Sequence, residues 1–196
     1  MPEYTGRQKQ IIESAIEIIA NEGIQSLTIK RLSSAIGISE PAIYRHFQNK
    51  QEIIESILRY FANDSKDYLL RIVKSDSEPI EKIGAFFNFH LDTFARRPAL
   101  AAVIFSEDIF QNDRQLAQSV LRIMEQSQKT VLKILQEASK DAGIRKDIPE
   151  EHLATMLIGT LRFLVNKWHL TKHDFDLVTE GDRLWGSLRR VLSSTE

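Results

Sequence analysis

An all-α fold is what this sequence predicts, and three features predict it. Only eight Gly and five Pro occur in 196 residues, while residues with high helix propensity (Leu, Ile, Ala, Glu, Lys, Gln) are plentiful. Apolar residues recur three and four positions apart over long stretches. Polar segments carrying Ser, Thr, Asn, Pro or Gly interrupt those stretches where helices are expected to begin and end. At 42% hydrophobic residues the chain has enough apolar surface for a core.

Nine helices are expected. Ile11, Ile12, Ala15, Ile18 and Ile19 keep helical spacing, and Gly23 follows where a left-handed residue ends a helix, giving a first helix over residues 5–22. Thr28 caps a short second helix over 28–36, closed by Gly37. Ser39 caps a third over 40–47, and Pro41 is tolerated in its first turn, where an N–H has no helical partner anyway. Asn49 with Glu52 forms a capping pair that opens a long fourth helix over 50–73. Pro79 opens a Phe-rich fifth helix, which stops before Pro98 because the residue preceding a proline leaves helical geometry. A sixth covers 99–110. Asn112 with Gln115 repeats the capping pattern and opens a seventh that runs toward Gly143. Pro149 opens an eighth through Leu170, and the ninth covers 175–192.

Composition narrows the function classes. The formal net charge is −1, and residues 1–50 carry six basic and five acidic side chains, so any nucleic-acid binding must rest on local arrangement rather than total charge. There is no cysteine, which removes disulfides, thiolate metal sites and thiol nucleophiles. Without a signal-peptide core or a long uncharged apolar run, a soluble cytoplasmic protein with no membrane partner is expected. Glycine-rich phosphate loops, nucleophile elbows and conspicuous carboxylate pairs are missing from the sequence, so neither an enzyme nor a cofactor is expected. His169 and His173, four apart and near His152, Asp174 and Asp176, raise a metal site. The helix is expected to break near Thr171, and solvated polar residues at a helix junction are the better account, with no metal.

The informative stretch is SLTIKRLSSAIGISEPAIYRHFQNK, residues 26–50. Two short helices joined by Gly37-Ile38-Ser39, with Leu32, Ile36, Ile38 and Ile43 inward and small Ser33 at the crossing, have the spacing of a helix-turn-helix. The third helix then exposes Ser39, Glu40, Ala42, Tyr44, Arg45 and His46, a mixture that a buried helix would not carry. In the major groove such a helix presents its first residues to base edges while hydroxyl and basic groups hold phosphates. Arg45 suits guanine or phosphate, and Ala42 suits a thymine methyl. Tyr44, His46, Thr28 and Lys50 suit phosphate, Lys50 beside the N–H groups that open the fourth helix. Glu40 can accept from a cytosine amino group or stay solvated.

The run LTI, then AIGIS, then AIYRHF with a following Lys50, after an amphipathic helix ending in Glu22-Gly23, resembles the N-terminal signature of the tetracycline-repressor (TetR) family of bacterial regulators. The resemblance covers residues 7–58. It implies an all-helical homodimer with a helix-turn-helix DNA-binding domain at residues 1–50 and an effector-binding and dimerisation domain at 51–196. It also implies DNA contacts at Thr28, Ser39, Pro41, Ala42, Tyr44, His46 and Lys50, with Arg45 our own addition. The expected function is a transcriptional regulator, a repressor released from its double-stranded operator by a small apolar or cationic effector. Residues 96–116, RRPALAAVIFSEDIFQNDRQL, with SEPAIYRHF look similar to the nucleoid-occlusion members of the same family, which act through a protein partner and without a small effector.

The C-terminal part gathers Phe86, Phe87, Phe89, His90, Phe94, Phe105, Phe110 and Met124. Two readings compete: an apolar effector pocket with His90 as a polar anchor, and an ordinary packed core. For dimerisation, small Ala154, Gly159 and Thr160 on the eighth helix allow close approach. Leu157, Leu161 and Leu164 with Leu184, Trp185 and Leu188 of the ninth are then expected to build a self-complementary interface.

Overall fold

The computed structural model describes residues 4–105, 113–138 and 143–193. Among the described residues there are nine α-helices: α1 (Gly6–Glu22), α2 (Ile29–Ile36), α3 (Glu40–Tyr44), α4 (Lys50–Lys74), α5 (Pro79–Arg96), α6 (Pro98–Ile104), α7 (Arg114–Ala138), α8 (Glu150–Leu170) and α9 (Leu177–Leu192). They hold no strand, only one antiparallel bridge between Ile144 and Ser193. The all-α expectation holds. The chain resolves into two compact units, the first from Met1–Asn63 with Arg97–Val120 and the second from Asp64–Arg96 with Leu121–Glu196.

In the first unit, local chemistry sets the helix ends. Thr5 accepts the Gln8 N–H (3.3 Å) while its own N–H donates to Gln8 Oε1 (3.0 Å), a reciprocal cap that opens α1. Gly23 ends α1 at φ 83°, ψ 162°; the expected left-handed helical conformation is replaced by an extended one that is essentially confined to glycine. Thr28 Oγ1 accepts the Arg31 N–H (3.0 Å) to open α2. Gly37 closes it in the left-handed conformation, φ 68°, ψ 34°, as expected. Asn49 Oδ1 accepts the Glu52 N–H (2.8 Å), but the Glu52 carboxylate reaches back to the Gln48 N–H (2.5 Å), one residue before the usual target.

Two ends differ from expectation. α3 stops at Tyr44 rather than residue 47: the His46 N–H turns onto Ile43 O (2.9 Å) in a tighter i→i−3 bond, while the Phe47 N–H keeps the i→i−4 bond to the same carbonyl (3.1 Å) and Phe47 is buried at 2% exposure. At the start of α7 the capping carboxylate is Asp113, which accepts from Gln115 (2.9 Å) and Leu116 (3.0 Å); Asn112, expected in that role, lies outside the described residues. The predicted ends of the sixth and seventh helices, residues 106–110 and 139–142, also lie outside them. Ile11, Ile12, Leu32, Ile43 and Ile53 are buried and form the core of this unit. Truncating a fully enclosed isoleucine such as Ile43 to Ala costs about 2–5 kcal/mol.

In the second unit α5 and α9 approach closely at two glycines. A Cβ on Gly84 would lie 2.8 Å from Trp185 Nε1, and one on Gly181 would lie 2.2 Å from Leu91 Cδ1. Asp176 caps α9 through the Thr179 N–H (2.6 Å). The α8–α9 turn carries Lys172 and His173 at positive φ and is closed by Trp168, whose Nε1 donates to Phe175 O (3.0 Å). The connector before α8 returns to the end of α9, where the Arg145 N–H and guanidinium donate to Leu192 O (2.9 Å) and Val191 O (3.2 Å).

Candidate nucleic-acid interface

The turn at Gly37 fixes how α3 is displayed. Ile38 N–H bonds to Ser33 O (3.1 Å), and Ser33 is buried with its hydroxyl on Lys30 O (2.9 Å), so no bulky side chain separates α2 from α3. Ile43 and Phe47 anchor the inner face of α3 and its following turn. The outer face is exposed: Ser39, Glu40, Pro41, Tyr44 and Arg45 face solvent, and Ala42 and His46 are half-buried. Tyr44 stands out, since half of this large ring is accessible (51%). Thr28, Lys30 and Arg31 add an exposed hydroxyl and two cations at the start of α2.

The groups are not equally available. Thr28 Oγ1 uses one of its two lone pairs on the α2 cap, leaving its O–H to donate and one lone pair to accept. Ser39 makes no side-chain capping bond among the described residues, so its hydroxyl can both donate and accept. The Arg31 guanidinium is held by the Glu22 carboxylate through Nε (3.1 and 3.2 Å) and Nη2 (2.5 Å); this pairing lowers the Glu22 pKa and raises that of Arg31. The Lys50 ammonium donates to Ile24 O (3.3 Å), and partial burial lowers its pKa. Lys50 keeps two N–H donors for a phosphate. The surface therefore offers hydroxyl, aromatic and basic groups on a short exposed helix, with one carboxylate, Glu40, at its start.

A polar cavity of about 540 Å³ lies in the first unit, lined among others by Gln48, Gln51, Glu55, Arg59 and Gln115. At its edge Gln115 Nε2 and Arg59 both donate to the buried Glu55 carboxylate (2.7 and 3.1 Å). The aromatic residues singled out in the sequence are elsewhere. In the second unit Phe86, Phe87, His90 and Phe94 are buried and Phe89 and Met124 half-buried. The His90 ring lies 4.4 Å from Phe86 and 5.4 Å from Phe89, Phe89 stacks on Tyr68 at 4.4 Å, and Phe87 lies 5.5 Å from Trp185. Phe105 belongs to the first unit, and Phe110 lies outside the described residues. Burial pushes the His90 pKa down to about 4, so its imidazole is neutral at neutral pH. Among the described residues no three His, Asp or Glu side chains are grouped to hold a metal ion, and no helix is long and apolar enough to cross a membrane.

Of the residues expected at a dimer interface, Leu157, Leu161 and Leu164 are buried inside their own unit, while Leu184, Trp185 and Leu188 are half-buried. The large apolar side chains that α8 turns outward are Met156 (54% exposed), Phe163 (70%) and Leu170 (72%). They recur every seven residues on one face, a repeat that the sequence itself carries. Gly159, between Met156 and Phe163, faces open space.

Residues 11–57 match the family described as "Bacterial regulatory proteins, tetR family", and residues 58–189 match "YsiA-like protein, C-terminal region". The chain is 22% identical over 183 residues to the nucleoid occlusion factor SlmA of Vibrio cholerae, covering 93% of each. Its fold is similar to that of the transcriptional regulator FadR from Bacillus subtilis, solved in complex with stearoyl-CoA (TM-score 0.80, 22% identity, 92% of this chain and 96% of that one). It is also similar to the fatty acid degradation regulator FadR from Bacillus halodurans (TM-score 0.85, 19% identity, 96% and 97%).

Proposed function

The chain belongs to the TetR family of bacterial DNA-binding regulators, and from that premise we propose that it is a homodimeric, sequence-specific transcriptional repressor released from its operator by a long-chain acyl-CoA. The observation that carries the DNA-binding part is the exposed row on α3, held outward by the left-handed Gly37 turn. Arg45 reads a guanine edge and Ala42 meets a thymine methyl. Pro41 packs beside the backbone, and Thr28, Ser39, Tyr44, His46 and Lys50 hold phosphates that fix the register. This role calls for no catalysis and places the protein on the nucleoid.

One copy of a five-residue recognition helix reads too few bases, so a two-fold symmetric site needs two copies. The outward stripe of α8 supports an isologous pairing in which Phe163 of each subunit seats near the Gly159 notch of the other.

For the effector, the support is the YsiA-like C-terminal region and the stearoyl-CoA complex of a protein with a similar fold. Phe86, Phe87, Phe89 and Phe94 supply apolar surface for an acyl chain, and the neutral His90 imidazole supplies a hydrogen-bonding group for its carbonyl. Binding shifts the population between two positions of α4 and lowers operator affinity by the ligand's differential affinity for them. Titrating stearoyl-CoA into the protein–operator complex tests this, with release of DNA as the expected result. Tight stearoyl-CoA binding with unchanged operator affinity would refute the gating.

Similarity to SlmA along nearly the whole chain favours a second reading, a DNA-bound regulator that acts through a protein partner. It predicts that acyl-CoA neither binds nor releases DNA, and that the operator-bound dimer captures a cell-division protein.

A further inference from the structure

Lysine is rarely buried unless it is paired, yet Lys82 is only 8% exposed and is the one buried Lys or Arg among the described residues. It sits in the first turn of α5, where the macrodipole of its own helix disfavours a cation. Two acceptors from other helices offset both penalties. Lys82 Nζ donates to Val73 O (3.1 Å) and to Glu137 Oε2 (3.1 Å).

Val73 is the penultimate residue of α4, so its carbonyl is among the last four, which lack a partner inside the helix, and it lies at the negative end of the α4 dipole. The preceding carbonyl, Ile72 O, is already taken by Ser75 through its N–H (3.2 Å) and hydroxyl (2.8 Å). Glu137 is the penultimate residue of α7 and is partly solvated. One buried ammonium thus ties the C-terminal ends of α4 and α7 to the N-terminal turn of α5. The neighbouring Glu81–Arg189 pair (3.0 Å) is half exposed on both sides and fixes far less.

We propose that Lys82 is a positioning residue: it pins the C-terminal end of α4, and the α4 position so held sets affinity for the specific operator. The second half rests on the repressor reading given above. α4 begins at Lys50, directly after the reading head, and its 25 residues span about 37 Å. A tilt of about 5° about one end of such a helix displaces the other by about 3 Å, enough to spoil the fit of a side chain to a base edge.

The test uses the full-length protein and three variants, Lys82→Met, Lys82→Arg and Glu137→Gln. Each is measured for melting temperature, for binding to the selected operator and to a scrambled duplex, and for amide exchange of residues 70–76. Removing one partner of a buried pair usually costs stability because it strands the other, but Glu137 is partly solvated, and the melting temperature of Lys82→Met is what separates positioning from stability. Lys82→Met is expected to weaken operator binding at least fivefold and leave scrambled binding within twofold. It should also speed exchange at 70–76 about tenfold, and Lys82→Arg should restore both. Should Lys82→Met fail to fold, Glu137→Gln, which keeps the bond to Val73, carries the test with a smaller loss in the same direction. Unchanged operator affinity and unchanged exchange would overturn the proposal. A uniform loss on both duplexes would show a purely structural role. If the wild type selects no operator, the repressor reading fails and the operator half falls with it, while exchange at 70–76 still decides whether Lys82 pins α4.

Discussion

Replacing His90 with Leu should remove most of an acid sensitivity whose size follows from the structure. The imidazole is buried between Phe86 and Phe89, and loss of hydration pushes its pKa from 6.5 down to about 4. In the unfolded chain the group protonates at its ordinary value, so below pH 6.5 the unfolded state takes up a proton that the folded state refuses. The stability contribution is complete above the unfolded pKa and is lost as pH falls from about 6.5 toward about 4. The full gap corresponds to about 3 kcal/mol, at about 1.4 kcal/mol for each tenfold change in proton affinity. Integrated, about 40% of it is lost by pH 5.5 and about three quarters by pH 4.5. Urea unfolding followed by circular dichroism, at one protein concentration and at pH 7.5, 5.5 and 4.5, measures it. Groups other than His90 titrate in both proteins, so the difference between wild type and His90→Leu isolates this residue. The wild type should lose more stability than the variant at both lower pH values, about 1 kcal/mol more at pH 5.5 and about 2–3 kcal/mol more at pH 4.5. Equal losses would refute the claim that the imidazole is buried and neutral.

If the proposed α8 pairing holds, Phe163→Glu should convert the proposed dimer to monomer in sedimentation, because burying a phenylalanine contributes about 1.5–3 kcal/mol and a two-fold interface buries two; an unchanged dimer would move the interface off α8. Gly181→Ala should cost about 1–3 kcal/mol in urea unfolding, since its methyl would lie 2.2 Å from Leu91 Cδ1 and Leu91 is fully enclosed. Unchanged stability would mean that α5 and α9 are not in such close contact. Arg45→Ala should weaken binding to the selected operator by about 1–3 kcal/mol and relax preference at one base pair, and a loss equal on all sequences would assign Arg45 to a phosphate.

Much of the first unit was legible because its helix ends are written in short-range chemistry. Thr5 with Gln8, Thr28, Gly37 and Asn49 with Glu52 each act within four residues of where the pattern placed them. What escaped depends on distant partners. The Gln115 side chain serves Glu55, 60 residues away, rather than its own helix start. On α8 both faces are apolar, and no local rule decides between Leu157, Leu161 and Leu164 on one and Met156, Phe163 and Leu170 on the other. Only packing shows which set the subunit keeps for itself. Lys82 reads in the sequence as an ordinary helical lysine, and its burial follows from Val73 and Glu137 together.

The most direct test of the central claim is selection of bound duplexes from a random DNA pool at physiological salt, followed by affinity against salt concentration for the winner and a scrambled control. The proposed function predicts a two-fold symmetric winner, bound at least about a thousandfold more tightly than the control. Failure to enrich any sequence, or a winner that binds no better than its scrambled copy, would contradict it.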